Sequence, residues 1–530
     1  MSAIITDQLR ILNAKNFISF AKDPNNSLYS FIGLPNPTDY SSTWNINPLA
    51  PKDSFEQETD IWDSIISLKK ILPDGIRQVI RRNTWASGTT YDMYRHDISR
   101  TNVSKPSNAT SLYSSNYYII NSDFRVYICL QNGTNPENPN GKPSLDEPLF
   151  TDIEPRSAGE SGDGYIWKYL YTVKPSDLIK FDTLNFIPVP DDWETNFIDA
   201  PVRDNAFGSG QLKIVTIKNR GSGLGTSNVV YKNVPIVGDG EDGTATITIN
   251  NNSQVESIVV SNGGSEYTFA RVDLDSVDFP LGITSPEFDV IIPPKNGHGA
   301  DIYRELGANN VLLYSRIENN DVDFVVGNEI ARVGIIINPN EYGSDTAIIS
   351  AFQASALYAL RLTGIGYSST SFENDSFITQ TIGTGVTAVG RVVAYDQTTG
   401  VLKYWQDKTL AGFNTDGTKS SSSTYGIKLN RFTTTLESGG SLVINGGSIN
   451  LSIDNTFSGV TTSINNITYN LGQLFTNGIS EPEVKKYSGE IIYVDNRPSI
   501  LRSKSQKEDI KVILQFWFTR IYKPCHKKLI

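Results

Sequence analysis

The chain has 530 residues and a net charge of −11, with 38% hydrophobic, 10% aromatic and 19% charged residues. Its length indicates roughly three or four domains, and its composition is that of a globular protein rather than a disordered one. The negative charge disfavours nucleic-acid binding because it would repel phosphate groups. Two cysteines, Cys129 and Cys525, exclude a disulfide framework and are consistent with folding in a reducing compartment.

Neither membrane insertion nor secretion is indicated by the sequence. No apolar run reaches the roughly eighteen residues that a membrane-spanning segment needs. The N-terminus, MSAIITDQLRILNAKNFISF, has no basic start followed by an uninterrupted apolar stretch, so no secretory signal is expected.

Two helices are predicted near the N-terminus. Ile5, Leu9 and Leu12 lie at i, i+4 and i+7 of the first, and Phe17 and Phe20 continue that apolar face. The second is ETDIWDSIISLKKILPD, in which Thr59 or Asp60 would cap the first turn and Pro73 would end the helix. Its apolar stripe consists of Ile61, Ile65, Leu68 and Leu72.

From about residue 113 the hydrophobic period becomes that of strands. NYYIINSDFRVYICLQNG predicts two strands around a turn at Asn121-Ser122-Asp123. GYIWKYLYTV carries apolar or aromatic residues on both faces, which is typical of a strand buried between layers.

Two later stretches are rich in glycine and small polar residues. Residues 214–223 (IVTIKNRGSG) weakly resemble residues 257–266 (SIVVSNGGSE), which suggests a duplicated β unit, and residues 361–367 (RLTGIGY) are a fainter third copy. In SLVINGGSINLSID, a hairpin is predicted around Gly446-Gly447, and DIKVILQFWF predicts a buried strand near the C-terminus.

These patterns predict a mainly β, α+β, multidomain fold of antiparallel sheets or sandwiches, with an N-terminal helical portion and two inserted Gly/Ser/Asn-rich β modules. The predicted division is 1–204, a helix-plus-sheet core domain; 205–300, an inserted β domain; 301–345, a return to the core sheet; 346–485, a second inserted β domain; 486–516, C-terminal core strands; and 517–530, a basic tail.

One glycine motif invites a nucleotide-binding interpretation. GDGEDG, Gly238 to Gly243, fits G-x-G-x-x-G, but Asp239, Glu241 and Asp242 would repel a pyrophosphate, and the following TATITIN predicts a strand instead of a helix. The acids could bind Ca²⁺, but their spacing does not match a calcium loop. A solvated turn is the favoured interpretation.

No catalytic or metal-binding constellation is evident. His96, His298 and His526 lie far apart in sequence, and neither Cys129 nor Cys525 has the setting of a catalytic nucleophile. Paired carboxylates such as Asp321 and Asp323 could serve a glycosidase, but a solvated strand face is favoured. We therefore predict no catalytic residue, no metal site, no cofactor site and no enzymatic activity.

Two charged groups leave alternatives open. Arg81, Arg82, Arg95, His96 and Asp97 could form an anion or partner site, although ion pairs anchoring the helical part to the sheet are slightly preferred. Near the C-terminus, SGEIIYVDNRPSILRSKSQKEDIKVILQF places three charged residues between apolar runs, and these could belong to an active site or to a strand and turn. They are Glu490, Asp495 and Arg497.

A series of segments is similar, in the same order, to the baseplate wedge subunit encoded by gene eight of T-even-like, contractile-tailed bacteriophages. They are AIITDQLR, NFISF, TDIWDSIISLKKILP, VIRRNTW, GDGYIWKYLYTVKPSD, IARVGIIINPNE, YSGEIIYVDNRPSI and EDIKVILQF. The resemblance implies that residues 491–494 form a strand, 495–498 a turn and 509–518 the next strand. This chain is much longer than the family's founding member, and the surplus lies at about 205–300 and 346–485.

The resemblance implies a structural role in the virion. Members of that family are mostly β, form a homodimer and bind other wedge proteins in a baseplate that is assembled in the host cytoplasm and triggers sheath contraction. The alternatives are a glycan-degrading tail protein and a carbohydrate- or receptor-binding protein acting through the inserted β domains. No small-molecule ligand is predicted.

Overall fold

The computed structural model describes residues 6–35, 44–206, 211–226, 228–318, 323–406, 430–436, 438–441, 443–446, 449–503 and 505–516. They fall into two compact units: the described parts of Met1–Ile18, Arg77–Leu312 and Ile513–Ile530, and those of Ser19–Ile76 and Leu313–Val512. Most elements are strands in antiparallel sheets, which confirms the predicted mainly β, α+β class. No helix among these residues is long and apolar enough to span a membrane.

The helices are α1 (Asp7–Lys22), α2 (Phe55–Ser64), α3 (Pro175–Phe181), α4 (Ala200–Ala206) and α5 (Ile302–Glu305). The first strands are β1 (Leu28–Gly33), β2 (Ile65–Lys70), β3 (Ile76–Arg81), β4 (Tyr118–Ile120), β5 (Arg125–Asn132), β6 (Tyr165–Thr172) and β7 (Phe186–Pro188). The next are β8 (Ile214–Asn219), β9 (Val230–Gly238), β10 (Glu241–Ile249), β11 (Val255–Ser265), β12 (Ala270–Val272) and β13 (Glu287–Ile291).

The remaining strands follow in chain order. They are β14 (Asn310–Ile317), β15 (Glu329–Ile337), β16 (Gln353–Ser355), β17 (Tyr358–Thr363), β18 (Phe377–Gly383), β19 (Val386–Asp396), β20 (Val401–Trp405), β21 (Val443–Gly446), β22 (Ile449–Ile453), β23 (Gly459–Ile464), β24 (Ile467–Phe475), β25 (Ile479–Ser480), β26 (Glu490–Leu501) and β27 (Glu508–Gln515).

The first predicted helix is confirmed, but its apolar residues are not all buried. α1 begins at Asp7, so Ile5 lies outside the described residues. Ile11 and Ala14 are buried, whereas Leu9 and Leu12 are exposed. The helical period was therefore correct, while the predicted core-facing stripe was wrong.

The second predicted helix is wrong in its second half. α2 is capped by the Ser54 hydroxyl, which accepts from the Gln57 N–H, and it ends at Ser64. Ile65, at its C-terminus, is extended (φ −63°, ψ 128°), and β2 follows. β2 lies between β1 and β16 and is almost wholly buried, so sheet pairing of β-branched residues overrides the helical period.

In the first unit, β4, β5 and β6 form a sheet with an aromatic core. β5 pairs with β4 through Ile119↔Tyr127 and with β6 through Cys129↔Trp167. The Asn121 side chain accepts from the Asp123 and Arg125 amides, which forms the predicted turn. The hairpin and the buried strand predicted from the sequence are both confirmed.

The stretch from Leu212 to Ile292 has an apolar cluster of its own. β11, β10, β9 and β12 form one sheet in that order, and β8 pairs with β13. Leu212, Ile247 and Ile249 are among the fully buried members of the cluster.

The weak sequence repeat corresponds to a shared local conformation. Asn219 accepts a hydrogen bond from Gly221 N at 2.9 Å, and Asn262 accepts one from Gly264 N at 3.2 Å. Both glycines have positive φ values, 64° and 59°, a region that favours glycine. The repeated Asn-x-Gly therefore encodes one type of turn twice.

The second unit contains two large sheets. One has the order β16-β2-β1-β15-β26, and the other has the order β20-β19-β18-β21-β22-β17-β25. The predicted hairpin is confirmed by the pairing of β21 with β22, in which Gly446 lies opposite Ile449. Gly447 lies outside the described residues.

The turn expected at 495–498 is wrong. β26 continues from Glu490 to Leu501, and the chain reverses after it. The register with β15 shifts between the pairs Arg332↔Asn496 and Ile330↔Ile500, so Pro498 lies in an irregular part of an edge strand. Proline is tolerated there because no ladder donor is lost.

Lys403 of β20 and Asp323 form a buried ion pair. Lys403 Nζ and Asp323 Oδ1 are 3.7 Å apart, and both side chains are 7% exposed. Burial lowers the pKa of Lys403, although Asp323 and Glu483 oppose that shift. The pair joins a residue between β14 and β15 to strand β20.

We predict that Lys403→Ala lowers the free energy of unfolding by about 3–5 kcal/mol, because it leaves the Asp323 carboxylate buried without its cation. Urea denaturation of the full chain measures this change. Lys485→Ala, which breaks the exposed pair with Asp345, is the control and should cost at most about 1 kcal/mol. Equal losses in the two variants would contradict the prediction.

Candidate interaction surface

The charges singled out near the C-terminus lie on the edge strand β26. Arg497 Nε donates to Asp495 Oδ2 at 2.6 Å, and both side chains are substantially exposed. Glu490 lies at the start of the strand, and burial, reinforced by Glu58, raises the pKa of its carboxyl. The three residues are therefore a surface ion pair and a separate acid, on a strand rather than a turn.

A groove of about 340 Å³ lies beside Asp495 and Arg497. Its lining comes from β1, β15, β26, β27 and the residues between β26 and β27: Ile32, Ile330, Ala331, Arg332, Val333, Tyr493, Asp495, Arg497, Ile500, Arg502, Gln506, Glu508, Asp509, Ile510, Lys511 and Val512. Apolar side chains alternate with charged ones along these strands. We call this lining the β26–β27 groove.

The acids of the β26–β27 groove are paired with arginines. Arg502 is fully buried and lies 3.1 Å from Glu508, while its guanidinium also donates to the carbonyl of Glu318 at 2.8 Å. Arg316 binds both oxygens of Asp509, at 2.7 and 2.9 Å, and lowers the pKa of that carboxyl. Carboxylates held in this way stabilise the strands and are poorly placed to exchange protons with a substrate.

Arg332 organises the wall of the groove. It is 2% exposed, and it donates to Asn496 Oδ1 at 3.0 Å, to Ser64 Oγ at 3.1 Å and to the Asp60 carbonyl at 3.3 Å. Its guanidinium also lies over the Trp44 ring, 5.6 Å from the centroid. One side chain thus joins α2, β15, β26 and the segment that begins at Trp44.

That segment covers part of the outer edge of β26. Trp44 Nε1 donates to the Arg497 carbonyl at 2.8 Å, and Ser499 N donates to Asn45 Oδ1 at 2.9 Å. Asn496 Nδ2 donates to the Leu49 carbonyl at 2.8 Å. Covering an edge strand in this way blocks uncontrolled strand addition.

We expect a double-mutant cycle of Asp495→Ala and Arg497→Ala to give a coupling energy within about 1 kcal/mol, since the pair is exposed. Thermal or urea unfolding of the four chains measures it. A coupling several times larger would contradict the assignment of these charges to a solvated edge strand.

The glycine motif forms the turn between β9 and β10, as predicted, and a strand follows it. Asp239 Oδ1 accepts from the amides of Thr268 and Phe269 at 2.9 and 3.1 Å, and Oδ2 accepts from the Thr268 hydroxyl. Gly243 N donates to the Tyr267 hydroxyl at 3.0 Å, and a Cβ at Gly243 would lie 2.6 Å from that oxygen. Gly240 and Gly243 therefore leave the space that the Tyr267 side chain occupies against the turn.

The carboxylate of Asp239 gives a prediction for pH dependence. Its hydrogen bonds to Thr268 and Phe269 lower its pKa from 3.8 to about 2. Because the folded pKa is the lower one, the stabilisation is present above pH 3.8 and is lost as the pH falls to about 2. We expect Asp239→Asn to unfold more easily at pH 7 and the difference from the parent to shrink between those two pH values. A constant difference in urea midpoint would contradict this.

The histidines do not converge. His96 Nδ1 accepts from the Ile292 N–H at 3.2 Å, and burial lowers its pKa. His298 is buried, with its Nδ1 2.6 Å from Glu305 Oε1, and Glu305 Oε2 accepts from Gly299 N at 2.7 Å. His526 lies outside the described residues. Within the described part of the chain, no group of three or more His, Cys, Asp or Glu could hold a metal ion.

Of the cysteine and carboxylate candidates, Asp323 is the one whose surroundings differ from those predicted. Cys129 is buried in β5, and burial raises the pKa of its thiol well above the usual value. Cys525 and Asp321 lie outside the described residues. Asp323 was expected on a solvated strand face, which is wrong, because it is buried against Lys403 outside any strand.

The basic cluster predicted near residue 81 is dispersed into separate contacts. Arg81 donates to the carbonyls of Ser114 and Ser115 and to the Asn116 side chain, and Arg82 pairs with Asp182. Arg95 binds Asp97 at 2.7 Å and Asp289 of β13 at 2.8 Å. Ion pairs are present, but Arg95 and His96 attach their segment to the 205–300 region instead of anchoring a helix.

Sequence reasoning missed one exposed apolar feature. Phe197 and Ile198 are 92% and 84% exposed in the turn before α4. Asn196 fixes this turn, since its Oδ1 accepts from Ile198 N at 2.8 Å and its Nδ2 donates to Asp199 at 2.9 Å. The sequence signal that could have indicated this exposed turn is WETNFIDA, in which an apolar pair is flanked by asparagine and aspartate.

Comparison with known proteins gives two matches. Residues 3–145 match the family described as Phage-Gp8: Bacteriophage T4, Gp8. Baseplate wedge protein gp8 of Enterobacteria phage T4 is 29% identical over 226 residues, which cover 38% of this chain and 64% of that protein. The chain resembles a phage baseplate wedge subunit. That prediction is confirmed, and the match spans less than two thirds of the relative's length.

Proposed function

We propose that this chain is a structural subunit of a bacteriophage baseplate wedge. The observation that carries the proposal is the similarity to baseplate wedge protein gp8 of phage T4, together with the family match over residues 3–145. The mainly β fold agrees with what the resemblance implies. The chain would then reside in the virion, in the tail baseplate, after assembly in the host cytoplasm as a late protein.

The role we propose is non-enzymatic. The acids that line the β26–β27 groove are held by arginines, Cys129 is buried, and His96 and His298 are occupied by structural contacts. These groups support packing rather than bond chemistry. We therefore propose that the chain acts by binding neighbouring wedge proteins through its surface. It would form a homodimer within each wedge and take part in triggering contraction.

The turn at 196–199 has the character of an interface anchor. Large apolar side chains on a turn of fixed geometry lose little conformational freedom on docking and bury much apolar area. Phe197 and Ile198 are presented in this way by Asn196. We assign this turn to contact with a neighbouring wedge protein.

The predicted division of the chain into a core and two inserted β domains, 205–300 and 346–485, is also part of this proposal. The cluster from Leu212 to Ile292 lies within the 205–300 segment, and another cluster, from Tyr358 to Ile453 with Ile479 packed against it, lies within 346–485. Segments with cores of their own are what insertions into surface loops require. We propose that both segments are inserted β domains.

We predict that Phe197→Asp combined with Ile198→Asp leaves the chain folded but lowers its incorporation into tail particles at least tenfold, since two charges would have to be buried at the interface. Phage lacking the gene is complemented with the variant, and mass spectrometry of purified particles measures incorporation. Ile365→Asp, a change at an equally exposed position in the other unit, is the control.

Two results would count against the proposal. If the unmodified chain is absent from purified baseplates, the structural role fails. If the double variant incorporates like the parent, the turn is not an interface, although the structural role itself would survive. An equal loss with Ile365→Asp would show that added charge acts without regard to position.

A further inference from the structure

One lysine lies inside the first unit without a carboxylate partner. Lys168 belongs to β6 and is 2% exposed, and its Nζ donates to the Ile153 carbonyl at 2.8 Å and to Asn205 Oδ1 at 2.9 Å. Among the described residues, no carboxylate forms an ion pair with it. A buried lysine that serves packing alone is normally paired with an acid, so the contact with an amide suggests a different role.

Burial also makes the amine of Lys168 nucleophilic. The loss of surrounding water lowers the pKa of its ammonium group to about 8, although Glu305 and Glu154 oppose that shift. At pH 7 about a tenth of such a group is the neutral amine, compared with less than about one in a thousand for an exposed lysine. A desolvated lysine of this kind can attack a carbonyl carbon.

The side-chain amide of Asn205, in α4, is held on both sides. Its Oδ1 accepts from Lys168 Nζ, and its Nδ2 donates to Glu154 Oε1 at 2.5 Å. The amine on one side and the carboxylate on the other determine which end of the amide is oxygen. Because a carbonyl bond is about 1.2 Å long, Lys168 Nζ lies roughly 3–4 Å from the Cγ atom of Asn205. A bound nucleophile attacks from a similar distance.

We propose that Lys168 and Asn205 form an intramolecular isopeptide bond. The neutral Nζ attacks Cγ of Asn205, a C–N bond forms, and the bond between Cγ and Nδ2 breaks to release ammonia. Overall, a lysine ammonium group and a primary amide become a secondary amide and an ammonium ion, so atoms and charge balance without an oxidant or a co-reactant. The reaction occurs once in each chain and is a modification rather than an enzymatic activity.

Glu154 is placed to transfer the proton that this reaction moves. Its Oε1 contacts the leaving nitrogen, and the hydrogen bond with Asn205 lowers the pKa of its carboxyl, so the group is a carboxylate at neutral pH. It can accept the proton that Nζ loses on attack and return it to Nδ2 as the C–N bond breaks. Lys213 Nζ lies 3.5 Å from the other oxygen of the same carboxylate.

A small cavity adjoins the reacting groups. Its volume is about 10 Å³, the space of a single water molecule, and Lys168, Asn205, Gln211 and His298 are among its lining residues. Ammonia is similar in size to water, so the cavity can receive the leaving group. Lys213 also lines the cavity and is partly exposed, which gives the product a short route to solvent.

The bond would join β6 to α4 across 37 residues of the chain. α4 begins directly after the turn that presents Phe197 and Ile198. A covalent link at Asn205 would keep this helix attached to the β4–β5–β6 sheet. The inference does not rest on the baseplate role, since it concerns only groups within one chain.

Mass spectrometry of the purified full chain tests the proposal. The intact mass should be lower than the sequence mass by one ammonia, and trypsin should release residues 157–180, uncut after Lys168, joined to residues 204–213. The linked peptide is the deciding result, because Asn-Gly pairs such as Asn132-Gly133 also lose ammonia when they form succinimides. Recovery of the two segments as separate peptides, with cleavage after Lys168, would overturn the proposal.

A pair of variants tests the proton transfer. Glu154→Gln keeps the size of the side chain but cannot carry the proton, so the yield of linked peptide should fall at least tenfold. Asp152→Asn changes an exposed carboxylate that pairs with Arg156, and this control should link like the parent. Circular dichroism confirms that both variants are folded. An unchanged yield in Glu154→Gln, or an equal loss in Asp152→Asn, would overturn the role assigned to Glu154. None of these results depends on incorporation into particles.

Discussion

The second unit depends on a sheet whose strands come from distant parts of the chain. β1 pairs with β2 on one side and with β15 on the other, through registers such as Phe31↔Leu68 and Leu28↔Ile337. β26 then adds to β15. Because a slip of one residue would move every side chain of a strand to the opposite face of the sheet, this register fixes where the intervening chain leaves and returns.

Polar side chains inside this unit reinforce the same arrangement. Arg332 reaches α2 and β26 from β15, and Lys403 faces Asp323 beneath the sheet that contains β20. Such groups are costly to leave unpaired, which makes alternative arrangements of the strands less stable. The resemblance to a baseplate wedge subunit is consistent with a molecule selected for fixed surfaces.

Local sequence patterns predicted the hairpin and strand elements more reliably than they predicted strand pairing and side-chain burial. The hairpin at Asn121 and the strand at Tyr165 carry both period and turn chemistry, and both are correct. β2 was mistaken for helix because Ile61, Ile65 and Leu68 fit a helical stripe, while the pairing that decides the matter comes from β1. Asp323 and Arg332 were not recognised as buried, since their partners Lys403 and Asn496 are remote in sequence. Pro498 suggested a turn, but an irregular edge strand accommodates it.

The most direct test of the structural role is a cryo-electron microscopy map of intact tail particles. The account predicts density for this chain in the baseplate, with the turn carrying Phe197 and Ile198 covered by a neighbouring protein. Density that places the chain on a fibre tip or leaves that turn in solvent, with a glycan bound to residues 205–300 or 346–485, would contradict it.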